Sequence, residues 1–205
     1  YVRDLDLRTA LATESYDYKG VHYTREYFNS YPDNVLAARL SADRKGSISV
    51  IVSLEDCTGG EELVHEVNGA LLTMKNTLKS NGLKTEAQVK VIPEGGTMET
   101  DGSSIRVKGA DTVTVILACG TDYKMELPSF RGEDPHEAIC NRIEAASSKG
   151  YEALKEAHIK DHSSLFSRME LSFEEEIPQI PTNIAIWWKK MAESFPLKKN
   201  REPWR

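Results

Sequence analysis

His158 and His162 are the pair whose type and spacing most readily suggest chemistry, because two imidazoles four apart on one helix face can share a metal ion. The gap between them reads Ile159-Lys160-Asp161, without the glutamate that follows the first histidine in the zinc-hydrolase pattern. The residue pattern favours a plainer role, both rings covering a sheet with each N–H bonded locally. Carboxylates are plentiful, and two of them flanking a glycosidic bond suffice for most sugar hydrolysis. Asp4, Asp6, Glu55, Asp56 and Glu174-Glu175-Glu176 nevertheless fall in turns, edges or polar faces and read as solvated surface. Gly102-Ser103-Ser104 lacks the strained elbow of a serine nucleophile. Asp122 and Tyr123 open the loop that follows the most apolar run of the chain, which makes them candidates for a ligand-facing or domain-facing loop, weighed against plain surface. Tyr16, Tyr18, Tyr23, Tyr27 and Tyr123 could stack on a pyranose ring, so an oligosaccharide-binding module is the alternative function. Alternating tyrosines on strands more often pack against one another.

The elements that must position these residues follow from periodicity. Up to Gly120 the period is two, the mark of strands with one wet and one buried face. Lys19-Gly20 separates two aromatic-rich arms and predicts a hairpin. Leu36, Ala38 and Leu40 share one face; Ile48, Val50, Val52 and Leu54 share another. Residues 57–69, with Gly59-Gly60 and mixed charge, read as a loop in which 61–67 could form a short helix. Strand pattern returns at Ala70–Met74, at Ala87, Val89 and Val91, and after the Asp101-Gly102 turn at Ile105 and Val107. Thr112–Cys119 is apolar on nearly both sides and suits a central strand covered on both faces. Past Gly120, Asp134-Pro135-His136-Glu137 reads as a capping box. Ile139, Ile143 and Ala146 then line a helix closed near Lys149-Gly150. A second helix over 151–167 carries Tyr151, Leu154, His158, His162 and Leu165 on its inner stripe, and Met169–Phe173 reads as a returning strand.

The expected fold class is therefore mostly β, an antiparallel β-sandwich with two C-terminal linker helices segregated to one end. Its organisation is expected as a partial sandwich over 1–120, a loop, linker helices and return strand over 121–183, and a basic, tryptophan-rich tail over 184–205. With 205 residues and a formal charge of −6, the chain can bury a sizeable core but offers no basic character suited to nucleic acid. No apolar run approaches the roughly 18 residues that span a bilayer, so no membrane partner is expected. Cys57, Cys119 and Cys140 lie far apart and read as free thiols. Neither a Gly-x-Gly-x-x-Gly fingerprint nor a phosphate loop occurs, and no cofactor is expected.

Five stretches stand out in order: Arg3-Asp4-Leu5-Asp6-Leu7-Arg8-Thr9-Ala10, Tyr23-Thr24-Arg25-Glu26, Ser30-Tyr31-Pro32-Asp33-Asn34-Val35-Leu36, Val91-Ile92-Pro93-Glu94-Gly95-Gly96, and the run from Gly150 to His162. Together they resemble the N-terminal domain of glycoside hydrolase family 95, the α-L-fucosidases. The resemblance implies a large sandwich with linker helices placed before an (α/α) barrel that hydrolyses α-1,2-linked L-fucose with inversion. It places the acid and base in that barrel, so no catalytic residue is carried over. The chain is expected not to be an enzyme by itself, its partner being the absent barrel, with earlier strands missing and open sheet edges suited to self-association. The tail after Asn183 departs from the family pattern and is expected to be a truncated or frame-shifted end.

Overall fold

The computed structural model describes residues 1–56 and 62–170. Residues 1–168 form one compact unit. Within it the chain runs β1 (Val2–Asp6), β2 (Leu11–Tyr18), β3 (Val21–Ser30), β4 (Val35–Ala42), β5 (Ile48–Ser53) and β6 (Val64–Asn68). There follow β7 (Leu71–Thr77), β8 (Lys84–Glu94), β9 (Thr97–Thr100), β10 (Ser104–Ala110) and β11 (Thr112–Thr121), then α1 (His136–Lys149) and α2 (Tyr151–Phe166). Eight strands form one sheet in the order β1-β2-β3-β4-β11-β8-β7-β6, and three form a second in the order β5-β10-β9, every pairing antiparallel. This is the expected sandwich.

Local sequence accounts for much of it. Tyr18 pairs with Val21 across a two-residue turn in which Lys19 (φ 51°) and Gly20 (φ 70°) both take the left-handed conformation, as the twist of a tight hairpin demands. Pro93 lies inside β8 opposite Val113, but beyond Lys90, where the pairing of β8 with β7 ends. Its missing N–H therefore falls where that flank of the strand has no partner. Gly96 is demanded by contact: a Cβ there would stand 2.4 Å from the Lys108 carbonyl oxygen and 2.6 Å from the Ala110 nitrogen.

β11 is apolar along its length because it is covered twice. Val113 belongs to a core shared with Leu72, Val89, Val91, Ile105 and Val107 between the two sheets, with Val115 and Leu117 packed against it. Ile116 and Ala118 point the other way, into a core with Phe28, Val35, Ala37, Ile139, Ile143, Ala146, Tyr151 and Leu154 beneath the helices. The period of two thus divides β11 between two cores.

Four expectations change. The helices lie on a face of the large sheet rather than at one end, because the stripes Ile139-Ile143-Ala146 and Tyr151-Leu154-His158 are buried. Residues 64–68 form a strand, not a loop or helix, since β6 pairs with β7 through a hairpin whose Gly69 has φ 56°. The capping box is replaced by a tighter arrangement: Pro135 is the cap residue, and the Asp134 carboxylate accepts the His136 N–H at 3.0 Å. That bond holds the Asp134 carboxyl below the usual carboxylate range, with the charge of Lys84 adding to it. Leu165 is exposed, and Phe166 takes the stripe position beside His162. Gly150 closes α1 and opens α2 as expected. Met169 and Glu170 are irregular, while the rest of the expected return strand, the tail and Cys57 lie outside the described residues.

Candidate functional site

The first place singled out by the sequence is the loop after β11. Asp122 is buried and works as its anchor. Its Oδ1 accepts the Lys84 N–H at 3.0 Å, its own N–H donates to the Lys84 carbonyl at 3.2 Å, and its carbonyl accepts Gly132 N–H at 2.6 Å. Arg131 Nε stands 3.6 Å from Oδ2, and the same guanidinium donates to the Asn81 carbonyl. Tyr123 bridges to Arg131 through the backbone while its side chain faces outward. Met125 (83% exposed) and Leu127 (82%) stand beside it as an apolar tip on a rigidly tied base. Asp122 and Tyr123 therefore divide the work: one fastens the loop, the other presents it.

The second place is α2. His158 Nε2 bonds the Ala10 carbonyl at 3.2 Å and His162 Nε2 bonds the Leu7 carbonyl at 2.8 Å. A carbonyl oxygen only accepts, so each ring donates from Nε2. The rings stack in a column, Phe28 to His158 at 5.0 Å, His158 to His162 at 6.3 Å, and His162 to Phe166 at 5.3 Å. With Ser163 Oγ donating to the Arg8 carbonyl, the column clamps α2 onto the β1–β2 turn. Farther along, Tyr151 donates to Glu26 Oε2 at 3.2 Å and Lys155 donates to Oε1 at 2.6 Å. Burial, and then the adjacent Glu26 charge, push the Tyr151 phenol well above its ordinary range, which keeps it a donor. Among the described residues no group of three or more histidines, cysteines and carboxylates is placed to hold a metal ion.

One tyrosine of β2 and one of β3 meet. Tyr16 stacks on Tyr23 with centroids 5.1 Å apart, and Arg25 covers Tyr16 while donating to its hydroxyl. Those ring faces are engaged within the protein, which is the packed-pair arrangement.

A further cluster escapes the sequence reading. Glu86 and Gln88 stand two apart on β8, on the face that meets α1, and both are buried. Glu86 Oε1 accepts Gln88 Nε2 and His136 Nδ1, each at 2.7 Å. Gln88 Nε2 also reaches Cys140 Sγ at 3.2 Å, and His136 Nε2 lies 3.7 Å from that sulfur. The signal was the four-residue spacing of His136 and Cys140 on α1, the same spacing that draws attention to His158 and His162.

The model of the glycosyl hydrolase family 65 N-terminal domain matches residues 1–126, the strands and the first part of the anchored loop. The chain belongs to this family. It is 27% identical over 195 residues to alpha-L-fucosidase 2 of Arabidopsis thaliana, an alignment covering 83% of this chain and 23% of that protein. It is 29% identical over 183 residues to probable alpha-fucosidase A of Aspergillus niger, covering 84% and 23%. Among solved structures, a putative kojibiose phosphorylase from human microbiome superposes with a TM-score of 0.60 at 10% identity, covering 80% of this chain and 24% of that one. That likeness is one of fold. A glycoside hydrolase N-terminal domain is thus what the chain is, described under family 65 rather than the expected number 95, with the fucosidase relationship carried by the curated relatives. The chain spans about a quarter of the length of those relatives.

Proposed function

We propose that the chain is the non-catalytic N-terminal accessory domain of a glycoside hydrolase acting on α-linked L-fucose. The observation that carries this reading is the family match over residues 1–126 together with fucosidase relatives of which the chain covers 23%. The buried carboxylates support it. Glu86 is held by Gln88 and His136, and Asp122 by Lys84 and Arg131, so each is committed to local donors. Hydrolysis would need two carboxyl groups facing each other across about 5–10 Å of substrate space. In this reading the inverting hydrolysis of α-1,2-linked fucose is carried by a barrel outside the described residues. The loop from Asp122 to Asp134 docks against that part of the enzyme through Tyr123, Met125 and Leu127, whose exposed apolar surface on a fixed base suits a domain contact.

The test is fucose release from 2′-fucosyllactose by the purified chain. No release above the protein-free control is expected. Release that disappears on substitution of a single carboxylate would overturn the reading.

A further inference from the structure

We propose that Cys140 is a reactive thiol, with His136 as its base and Glu86 as the positioning residue, and that it undergoes exchange with small disulfides. The geometry is that of a nucleophile, a base and an orienting group in series. A carboxylate accepts, so the 2.7 Å contact with Glu86 Oε1 fixes the proton of neutral His136 on Nδ1. The opposite nitrogen, Nε2, is then an acceptor 3.7 Å from Cys140 Sγ, placed to take the thiol proton. Once the proton has moved, the sulfur faces two N–H donors, His136 Nε2 and Gln88 Nε2, the latter at 3.2 Å. Glu86 is held in turn by the second contact of the Gln88 amide.

Two further observations, the second from within the cluster, point to a ligand. Cys140 opens onto a groove of about 450 Å³, lined also by Leu71, Lys90, Glu144 and Ser147, which gives a small disulfide room to approach. Gln88 lines the same groove, is fully buried, and leaves its Oε1 without a hydrogen-bond partner. A buried amide oxygen left unpaired is costly and calls for an explanation, a catalytic role being one of those that apply. Cys119 is the contrasting thiol: it is exposed, and Arg142 binds its backbone carbonyl rather than its sulfur.

In the reaction, the Cys140 S–H proton moves to His136 Nε2 as Sγ attacks one sulfur of the disulfide. A new S–S bond forms to Cys140 and the old one breaks. The departing sulfur leaves as a thiolate and takes a proton, from His136 or from water. Cys140 is oxidised to the disulfide level, and the released sulfur is reduced to a thiol.

The experiment treats the full chain with dithiobis(nitrobenzoate) at neutral pH. Reaction is quenched at intervals, and peptide mass spectrometry resolves Cys140 from Cys57 and Cys119. Cys140 is expected to react faster than the more exposed Cys119 by about tenfold, a modest share of what a positioned base contributes. His136→Gln is expected to remove that advantage while leaving the Cys119 rate unchanged, and Glu86→Gln to lower it partway. The wild-type ratio needs no variant to fold. A Cys140 rate no greater than that of Cys119 overturns the proposal, as does a folded His136→Gln chain whose ratio is unchanged.

Discussion

Toward the three-stranded sheet, the large sheet presents Leu72, Val89, Val91 and Val113, all buried and all aliphatic. Toward the helices it presents Phe28, Ile116 and Ala118 interleaved with the buried polar residues Ser30, Thr73, Glu86, Gln88 and Thr114. Burial of the first kind is non-directional and fixes little beyond volume. The second kind requires a partner for each polar atom, so it fixes where the covering helices sit. His158 and His162 hold α2 to the β1–β2 turn, Glu26 receives Tyr151 and Lys155, and Lys149 reaches Asp33 at 2.7 Å. One face of the sheet supplies bulk stability; the other supplies register, and it also holds the side chains arranged for chemistry.

The contrast can be broken most readily in the cores. Leu72→Ala and Leu154→Ala remove fully buried side chains from opposite faces, and each is expected to cost about 2–5 kcal/mol in denaturant unfolding. A cost for Leu154→Ala far below that of Leu72→Ala would make the helices a loosely held cover.

Next in size is the histidine column. His158→Ala is expected to lose about 1–3 kcal/mol through the bond to Ala10 and the stack on Phe28. His158→Phe should lose less, since it keeps the stack and gives up the hydrogen bond. Equal losses would mean that the column is held by its hydrogen bonds alone.

Smaller again is the Glu26 clamp. Glu26→Gln is expected to cost about 1 kcal/mol, because the carboxamide keeps a single neutral acceptor oxygen and turns an NH2 group toward the other of the two donors, in a partly solvated pair. A double-mutant cycle with Lys155→Met measures the coupling.

Acid should act last and most gently. Hydrogen bonds from Arg3 lower the Glu14 carboxyl, those from the Arg8 amide and Thr9 lower Asp6, and that from the His136 amide lowers Asp134. Each folded-state value lies below the unfolded one. The stability they contribute is therefore fully present above the ordinary carboxylate range and is lost as pH falls through the lowered folded values. Thermal melting from neutral pH into acid should show a declining limb there, made shallower by Glu14→Gln.

Where period and turn chemistry coincide, the fold was legible. Lys19-Gly20 announces its hairpin, the unbroken run of β11 announces a strand covered twice, and Gly150 marks the joint between helices. β6 and β9 were hidden for a shared reason. Val64-His65-Glu66-Val67-Asn68 and Thr97-Met98-Glu99-Thr100 are edge strands with no fully buried residue, so neither carries an alternating apolar signal. The Cys140 cluster was illegible for a different reason. It joins Glu86 and Gln88 to a helix roughly 50 residues on, and only the pairing of β8 with β11 and the seating of α1 bring them together. Asp122 and the two histidines stood out by position, but their partners, Lys84, Ala10 and Leu7, are likewise distant in sequence.

Native-state hydrogen exchange, read amide by amide, tests whether sheet and helices unfold as one unit. Interior amides of α2, such as those around Leu154 and His158, are expected to open only with β11, at the free energy of global unfolding. Exchange of α2 through a separate opening lower by more than about 2 kcal/mol would contradict that expectation and return the helices to the role of a connector.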